Sequence, residues 1–239
     1  MEYSGGSKYR FIADIIISKI QSKELPPKSK IPSENEIIAT YNVSNTTARK
    51  VLQEIEQAGL VEKIRGKGTF VKDFVVGRSA SKILSFTKNM TDQGLKASTK
   101  LLDSETLNKE LKIFVSGNFY NLPAPIFRVK RLRLANDVPM MVETRYISLN
   151  YCPGIGDKKL ENSLYNIYRN DYNLSIVRIE QDLSAIILDK TMAKLFDIEK
   201  NSVGIKVEGV TFCGKGMILE AEESVYRGDK YKFSIAATD

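Results

Sequence analysis

The sequence predicts an α+β protein in two parts: three helices closed by a β-hairpin, then a larger unit of antiparallel strands with helices set to one side. Two observations carry this. Apolar residues recur at helical spacing as far as Gly59, and strand-forming runs dominate from Val129 onward. A third sets the boundary, because composition shifts near Lys72, where Asp73-Phe74-Val75-Val76-Gly77-Arg78-Ser79-Ala80-Ser81 reads as a connector with small residues. At 239 residues the chain has length for two modest domains. They are assigned to 1–72 and 84–239, with 73–83 as linker.

In the first part, Tyr9, Ile12, Ile15, Ile16 and Ile20 give one helix a buried face, and Pro26-Pro27 closes it and its loop. Ser33-Glu34-Asn35-Glu36 after Pro32 fits a capping box, so a short second helix starts at Ser33. Ser44 caps a third, with Ala48, Val51, Leu52, Ile55 and Ala58 inward and Gly59 at its end. Only Tyr41-Asn42-Val43 separates the second helix from the third. Leu60–Ile64 and Thr69–Val71 are strands around Arg65-Gly66-Lys67-Gly68. That order is a winged helix-turn-helix.

In the second part, Val129–Ala135 and Met140–Ile147 form a hairpin turning at Asn136-Asp137. Ser163–Tyr172 is a helix, Val177–Leu188 a long strand and Asp189–Phe196 a helix. Val203–Phe212 and Met217–Tyr226 make a second hairpin, followed by a last strand near Tyr231–Ile235.

Composition narrows the function. With 42% apolar and 27% charged residues the chain is ordinary globular material. Its 36 Lys and Arg against 29 Asp and Glu leave +7, which favours a polyanionic partner. The excess is uneven, since residues 1–72 carry 12 basic and 8 acidic side chains in under a third of the length. Histidine is absent, which removes Ser-His-Asp and Cys-His catalysis and every His-containing metal site. Cys152 and Cys213 are too few for a disulfide scaffold or a four-cysteine zinc site, and point to a reducing cytosol. No apolar run approaches a membrane span, and Met1–Arg10 lacks the apolar core of a signal peptide. The expectation is a cytoplasmic protein with no cofactor, no metal, no catalytic residue and no membrane partner.

The amino-terminal turn of a helix offers side chains and unpaired N–H groups to base edges and phosphates in the DNA major groove. In the third helix that turn is Ser44-Asn45-Thr46-Thr47, followed by Arg49 and Lys50, while the apolar stripe is committed to the core. Ser33 and Asn35 begin the helix before it. In the wing, Gly66 and Gly68 permit close backbone approach and Lys67 adds charge. Pro32-Ser33-Glu34-x-Glu36, Val43-Ser44, Thr46, Arg49, Gly59-Leu60 and Gly66-x-Gly68-Thr69-Phe70-Val71 resemble the DNA-binding domain of the GntR superfamily of bacterial transcription regulators. The resemblance implies a double-stranded DNA operator as partner. Asn35 and Asn45 stand where the family usually has arginine, so the bases read can differ.

Residues 84–239 resemble the UTRA ligand-sensing domain of the HutC branch, a chorismate-lyase-like fold. The carrying residues are Ser85-Phe86-Thr87-x-x-Met90, Arg131-Leu132-Arg133, Pro139 with Glu143, Ser163-Leu164-Tyr165, Glu180, Glu220 and Tyr226-Arg227-Gly228-Asp229-x-Tyr231-x-Phe233. The resemblance implies that Arg131, Arg133, Ser163 and Tyr165 hold a phosphate and that acidic residues hold hydroxyls. Phe86, Thr87, Glu143, Glu220 and Tyr226 complete the candidate effector site. It also implies dimer contacts in this second domain.

Strand geometry bears on the same residues. Arg131 and Arg133, two apart, leave one face of their strand while Leu132 and Leu134 leave the other. Two adjacent guanidiniums repel unless an anion or acid compensates, and Glu143 falls opposite Arg131 if the turn is tight. The bland alternative is a cross-strand salt bridge on a solvated face. Glu220, Glu222, Ser224 and Tyr226 also share one face, too polar for an ordinary core, whereas Arg227-Gly228-Asp229 reads as a turn.

The leading reading is a homodimeric DNA-binding repressor controlled by a small anionic metabolite, a sugar phosphate by resemblance. The alternative is a lyase-like enzyme acting on a phosphorylated or carboxylated small molecule, with Glu143, Glu180 or Glu220 as acid–base groups. An RNA-binding protein is disfavoured, because no aromatic-rich strand motif is present.

Overall fold

A computed structural model describes residues 8–22, 24–73, 75–80, 83–214 and 216–236. The chain divides into two compact units, Met1–Phe74 and Val75–Asp239. Of the linker read from sequence, Phe74, Ser81 and Lys82 lie outside the described residues, as does the amino terminus before Lys8.

The first unit opens with α1 (Lys8–Gln21), which buries Ile12, Ala13 and Ile16. Ile15, expected on that face, is only half-buried and outside the core, since it stands roughly a third of a turn from the stripe that Ala13 flanks. In α2 (Glu34–Tyr41) the Ser33 N–H donates to the Glu36 carboxylate at 2.7 Å and Glu36 N–H donates back to the Ser33 hydroxyl at 3.4 Å, the capping box the sequence predicts. Asn42, with φ +48°, turns the chain sharply into α3 (Asn45–Gln57), where the Ser44 hydroxyl accepts from Thr47 N–H at 3.2 Å. Ala58, expected inward, is exposed and caps the helix end. The wing is β1 (Val61–Ile64) and β2 (Gly68–Val71), antiparallel from Val61 opposite Val71 to Ile64 opposite Gly68. Ile31, Ile37, Ala48, Val51, Ile55, Leu60 and Val71 complete one core with the α1 residues. Gly68 has φ +123°, a conformation that L side chains rarely adopt, so the position favours glycine.

The second unit begins inside the expected linker. β3 (Val76–Ser79) pairs in parallel with β12 (Tyr231–Ser234), so the connector reading fails for these four residues. Small residues there suggested a loop, but the strand is stabilised by a partner more than 150 positions away, opposite Val76 at Tyr231. Next come α4 (Phe86–Asp92), β4 (Ala97–Leu107) and the hairpin β5 (Leu111–Val115) and β6 (Asn118–Leu122). β7 (Ile126–Ala135) and β8 (Val138–Ser148) turn at Asn136 and Asp137, whose φ values of +47° and +62° are those of a tight primed turn. α5 (Leu164–Tyr172), β9 (Ile176–Ile187), α6 (Lys190–Phe196), β10 (Val203–Cys213) and β11 (Met217–Arg227) follow before β12.

Six strands form one antiparallel sheet in the order β4-β7-β8-β11-β10-β9. One face packs Phe127, Val129 and Ile147 against Leu164, Ile167 and Tyr168 of α5. The other packs Leu132, Leu134, Val142 and Val225 against Phe196 of α6. Helices therefore cover both faces, where one side was expected. The first face changes character along its length, from apolar under α5 to a band of buried arginine and glutamate.

Candidate functional site

In the first unit, Asn45, Thr46, Arg49 and Lys50 are exposed on α3, opposite buried Ala48, Val51 and Ile55. Asn35 is exposed on α2, and Gly66 and Lys67 are exposed at the wing tip, with Gly68 half-buried. The serines are already engaged. The Ser33 hydroxyl donates to Glu36 at 2.7 Å, and the Ser44 hydroxyl lies 3.0 Å from that of Thr47. Both act first as helix caps. Arg49 Nε donates to the Glu34 carboxylate at 3.2 Å, which ties α3 to the start of α2 and leaves its outer nitrogens for a phosphate or base. The Lys50 ammonium rests 5.8 Å from the centre of the Tyr9 ring on α1. A basic, polar helix face with a basic wing beside it suits the groove and backbone of duplex DNA.

In the second unit a small cavity lies on the polar band of the sheet. It is lined from β7, β8 and β11 by Arg131, Arg133, Met141, Glu143, Arg145 and Tyr226. Arg78 of β3, Phe86 at the start of α4, and Ser163 and Tyr165 at the start of α5 close it. Its volume is about 20 Å³, room for roughly one water. Clefts of about 420 and 430 Å³ adjoin the same walls, one sharing Ser85 and Tyr165, the other Ser163.

The register puts Arg131 opposite Glu143 and Glu143 opposite Ser224, as a tight turn requires. Glu143 is a hub. Arg131 Nη2 reaches it at 2.5 Å, Arg133 Nη1 at 2.7 Å and Arg145 Nε at 3.3 Å. Burial alone would push its carboxyl up, but the three guanidiniums outweigh burial and hold it well below the usual carboxylate range. The solvated salt bridge weighed from sequence is therefore a buried cluster, with Arg131 and Arg133 about 1% and 3% exposed.

The two arginines differ. Arg131 Nη1 also donates to the carbonyls of Leu160 and Asn162, at 2.7 and 3.0 Å, and so fixes the loop leading into α5. Burial and the neighbouring arginines pull its pKa down to about 10 against the attraction of Glu143, and it stays charged at neutral pH. Arg133 Nη2 donates to the Thr87 hydroxyl at 3.2 Å, and its guanidinium stacks 4.7 Å from the centre of the Phe86 ring. Thr87 thus orients Arg133 and lies outside the cavity wall. Nε of both arginines and the Ser163 hydroxyl are buried without a hydrogen-bond partner. Ser163 begins α5 without making a side-chain cap, so its hydroxyl and the first N–H groups of that helix are uncommitted beside the cavity.

Glu220 lies behind the cavity and not in its wall. It accepts from Arg145 Nη1 at 2.9 Å and from the Tyr168 hydroxyl. Burial raises its pKa, and Arg145 only partly offsets this. Arg145 Nη2 reaches Glu222 at 2.5 Å. Arg227 holds Asp229 at 2.6 Å, in keeping with a turn. The sequence reading missed Arg145 and Arg78. The first shares the alternation of Glu143 and could have been found by extending that face by two residues. The second sits in a stretch without strand periodicity and carries no such signal.

A winged helix-turn-helix followed by an antiparallel α+β unit is the architecture of a transcription regulator. Residues 8–71 match the family of bacterial regulatory proteins called gntR, and residues 92–232 match the UTRA domain; the chain belongs to the GntR family, in its UTRA-bearing HutC branch. It is 27% identical over 227 residues to the HTH-type transcriptional repressor NagR of Bacillus subtilis (strain 168), covering 94% of this chain and 92% of that one. It is 26% identical over 230 residues to MngR, the mannosyl-D-glycerate transport/metabolism system repressor of Escherichia coli (strain K12), covering 96% and 95%. The fold matches the crystal structure of PhnF from Mycobacterium smegmatis with a TM-score of 0.62 over 96% of this chain and 99% of that one, at 22% identity. GntR regulators bind DNA operators and small-molecule effectors. The family and these relatives are regulators and not enzymes, so the lyase alternative is not retained. Among the described residues, no helix is long and apolar enough to cross a membrane.

Proposed function

We propose that this protein is a repressor that binds its operator as a homodimer and is controlled by an anionic effector, a sugar phosphate, in the cavity of its second unit. One observation carries the effector reading. The buried cluster holds the guanidiniums of Arg78, Arg131, Arg133 and Arg145 against the carboxylates of Glu143, Glu220 and Glu222, all seven residues at most 7% exposed. Buried charges need compensation, and this set is one negative charge short. The unpartnered Ser163 hydroxyl at the head of α5 adds a donor suited to a phosphate oxygen. Glu143 and Tyr226 on the cavity wall suit the hydroxyls of a sugar ring.

A space for about one water is too small for a sugar phosphate, so binding must move the starts of α4 and α5 outward into the adjoining clefts. That requirement gives the effector unequal affinity for two arrangements, without which it could shift no equilibrium. In the first unit, Asn45, Thr46, Arg49 and Lys50 read and hold the major groove while Lys67 holds the backbone beside the wing. We infer a linker at the boundary between the two units.

The test is a thermal-shift panel of sugar phosphates, free sugars, inorganic phosphate and carboxylates, followed by operator titration with each compound that stabilises. A ligand at about 100 times its Kd adds roughly 2.7 kcal/mol. Stabilisation by free sugars equal to that by their phosphates would defeat the anionic reading. A second reading is not favoured by any observation.

A further inference from the structure

Each of three cavity arginines has a carboxylate partner within 3.3 Å, Glu143 for Arg131 and Arg133, and Glu143, Glu220 and Glu222 for Arg145. Arg78 has none. Its side chain is 7% exposed and lines the same cavity, yet it makes no ion pair and no side-chain hydrogen bond with any described residue. Glu222 and the neighbouring tyrosines favour its charge from a distance and outweigh burial, so what Arg78 lacks is an acceptor within hydrogen-bond reach, and it lacks it on the cavity wall. A guanidinium carries five donors in a rigid planar fork that matches the oxygens of a phosphate or carboxylate.

Its place in the chain adds a second point. Arg78 lies on β3, which begins two residues after the boundary at Phe74 and so is the first element to follow from the DNA-binding unit. β3 is held at Gly77 from both sides by one side chain. Gln93 accepts from Gly77 N–H at 3.0 Å and donates to Gly77 C=O at 2.8 Å. Gln93 ends α4, the helix whose first residues, Phe86 and Thr87, pack on Arg133. Arg78 and Arg133 are thus anchored to one mechanical piece, β3 with α4.

We propose that Arg78 is an effector-contacting residue that takes an anionic group of the effector, and that through β3 it ties occupancy of the cavity to the strand leading out of the DNA-binding unit. This rests on the anionic-cavity reading above. An anion bridging Arg78 and Arg133 holds β3 with α4 in the outward position that the enlarged cavity requires, and a displacement of β3 is passed along the backbone to the linker. The anionic group is of the oxyanion class, phosphate or carboxylate, because only a planar or tetrahedral set of oxygens meets two guanidiniums at once.

The experiment uses the full chain with inorganic phosphate and sulfate as probes, and compares wild type with Arg78→Met, Arg78→Gln and Arg133→Ala. Melting temperature and operator affinity are read with and without each probe. Arg78→Met removes a buried charge that no hydrogen bond or close ion pair holds, so without probe its melting temperature is expected to change little. With probe it is expected to lose at least about tenfold in affinity and to stay on the operator. Arg78→Gln keeps a polar side chain, removes the charge and is expected to behave alike, which covers a failure of the methionine variant to fold. If Arg133→Ala loses probe binding while both Arg78 variants keep it, Arg78 is not a contact and the anionic reading stands. If wild type responds to neither probe, the anionic reading falls and Arg78 falls with it. A drop in melting temperature in both Arg78 variants, with probe affinity unchanged, makes Arg78 a structural residue and overturns the proposal.

Discussion

Arg131 and Arg133 are two positions apart and one charge type, yet they should fail differently. Arg131 spends its outer nitrogens on Glu143 and two carbonyls of the loop before α5. Arg131→Ala leaves Glu143 short of a partner and frees that loop, at a cost of about 3–5 kcal/mol, visible in chemical denaturation of the second unit. Arg133→Ala loses one ion pair and the stack on Phe86 but keeps the loop. It should abolish the effector response while operator binding without effector stays within about twofold, and in cells give permanent repression. In the first unit, asparagine at 45 favours adenine where arginine would favour guanine. Asn45→Arg should move preference at the facing base pair toward guanine, and site selection on both proteins would settle it, an identical choice meaning that Asn45 reads nothing.

Two helices begin with a serine that sequence alone cannot tell apart. The Ser44 hydroxyl accepts the Thr47 N–H, whereas the Ser163 hydroxyl accepts nothing from its own helix. Ser44→Ala should therefore cost about 1 kcal/mol of stability. Ser163→Ala should cost little and instead weaken phosphate binding, so thermal melts with and without phosphate separate the two roles. On the sheet, Glu220 and Glu143 respond oppositely to pH. Glu143 is held low, so its contribution to stability is present above the ordinary carboxylate range and is lost as pH falls. Glu220 is held high by burial, so its contribution is present at low pH and is lost as pH rises through its raised pKa. Protonating Glu220 removes a negative charge behind Arg145, leaving the cavity more positive. Sulfate affinity should increase as pH drops through that range, above the ordinary carboxylate values, and Glu220→Gln should flatten the dependence. Sulfate is the right probe because it does not itself titrate there.

At the scale of the whole chain, a single helix-turn-helix contacts one half-site, and joining two raises the effective concentration of the second. The unit 1–74 has its own core around Ile12, Ile37, Val51 and Ile55. Expressed by itself, it should bind a palindromic operator far more weakly than the full chain, and equal affinities would remove the case for a dimer. Both should lose affinity steeply with salt as Arg49, Lys50 and Lys67 release counterions, the full chain with about twice the slope.

The first unit was legible almost residue by residue, because its signals are local: Ser33 with Glu36, Ser44 with Thr47, and helical spacing within a single element. The hairpin of β7 and β8 was legible for the same reason, since Asn136-Asp137 sets its register and that register puts Glu143 across from Arg131. The region from Arg78 to Leu122 was not. β3 exists only because β12 pairs with it, and the strands β4 to β6 were never read as strands. For the cavity, parity and family likeness named most of the wall. What only the tertiary structure decided was how each polar atom is spent: Arg131 on loop carbonyls, Thr87 on Arg133, Glu220 on Arg145 and Tyr168, and Arg78 on no hydrogen bond or close ion pair among the described residues. Sequence fixes which side chains share a face, because backbone geometry repeats every two or 3.6 residues. It does not fix which of them meet across a fold, because that depends on contacts between segments far apart in the chain.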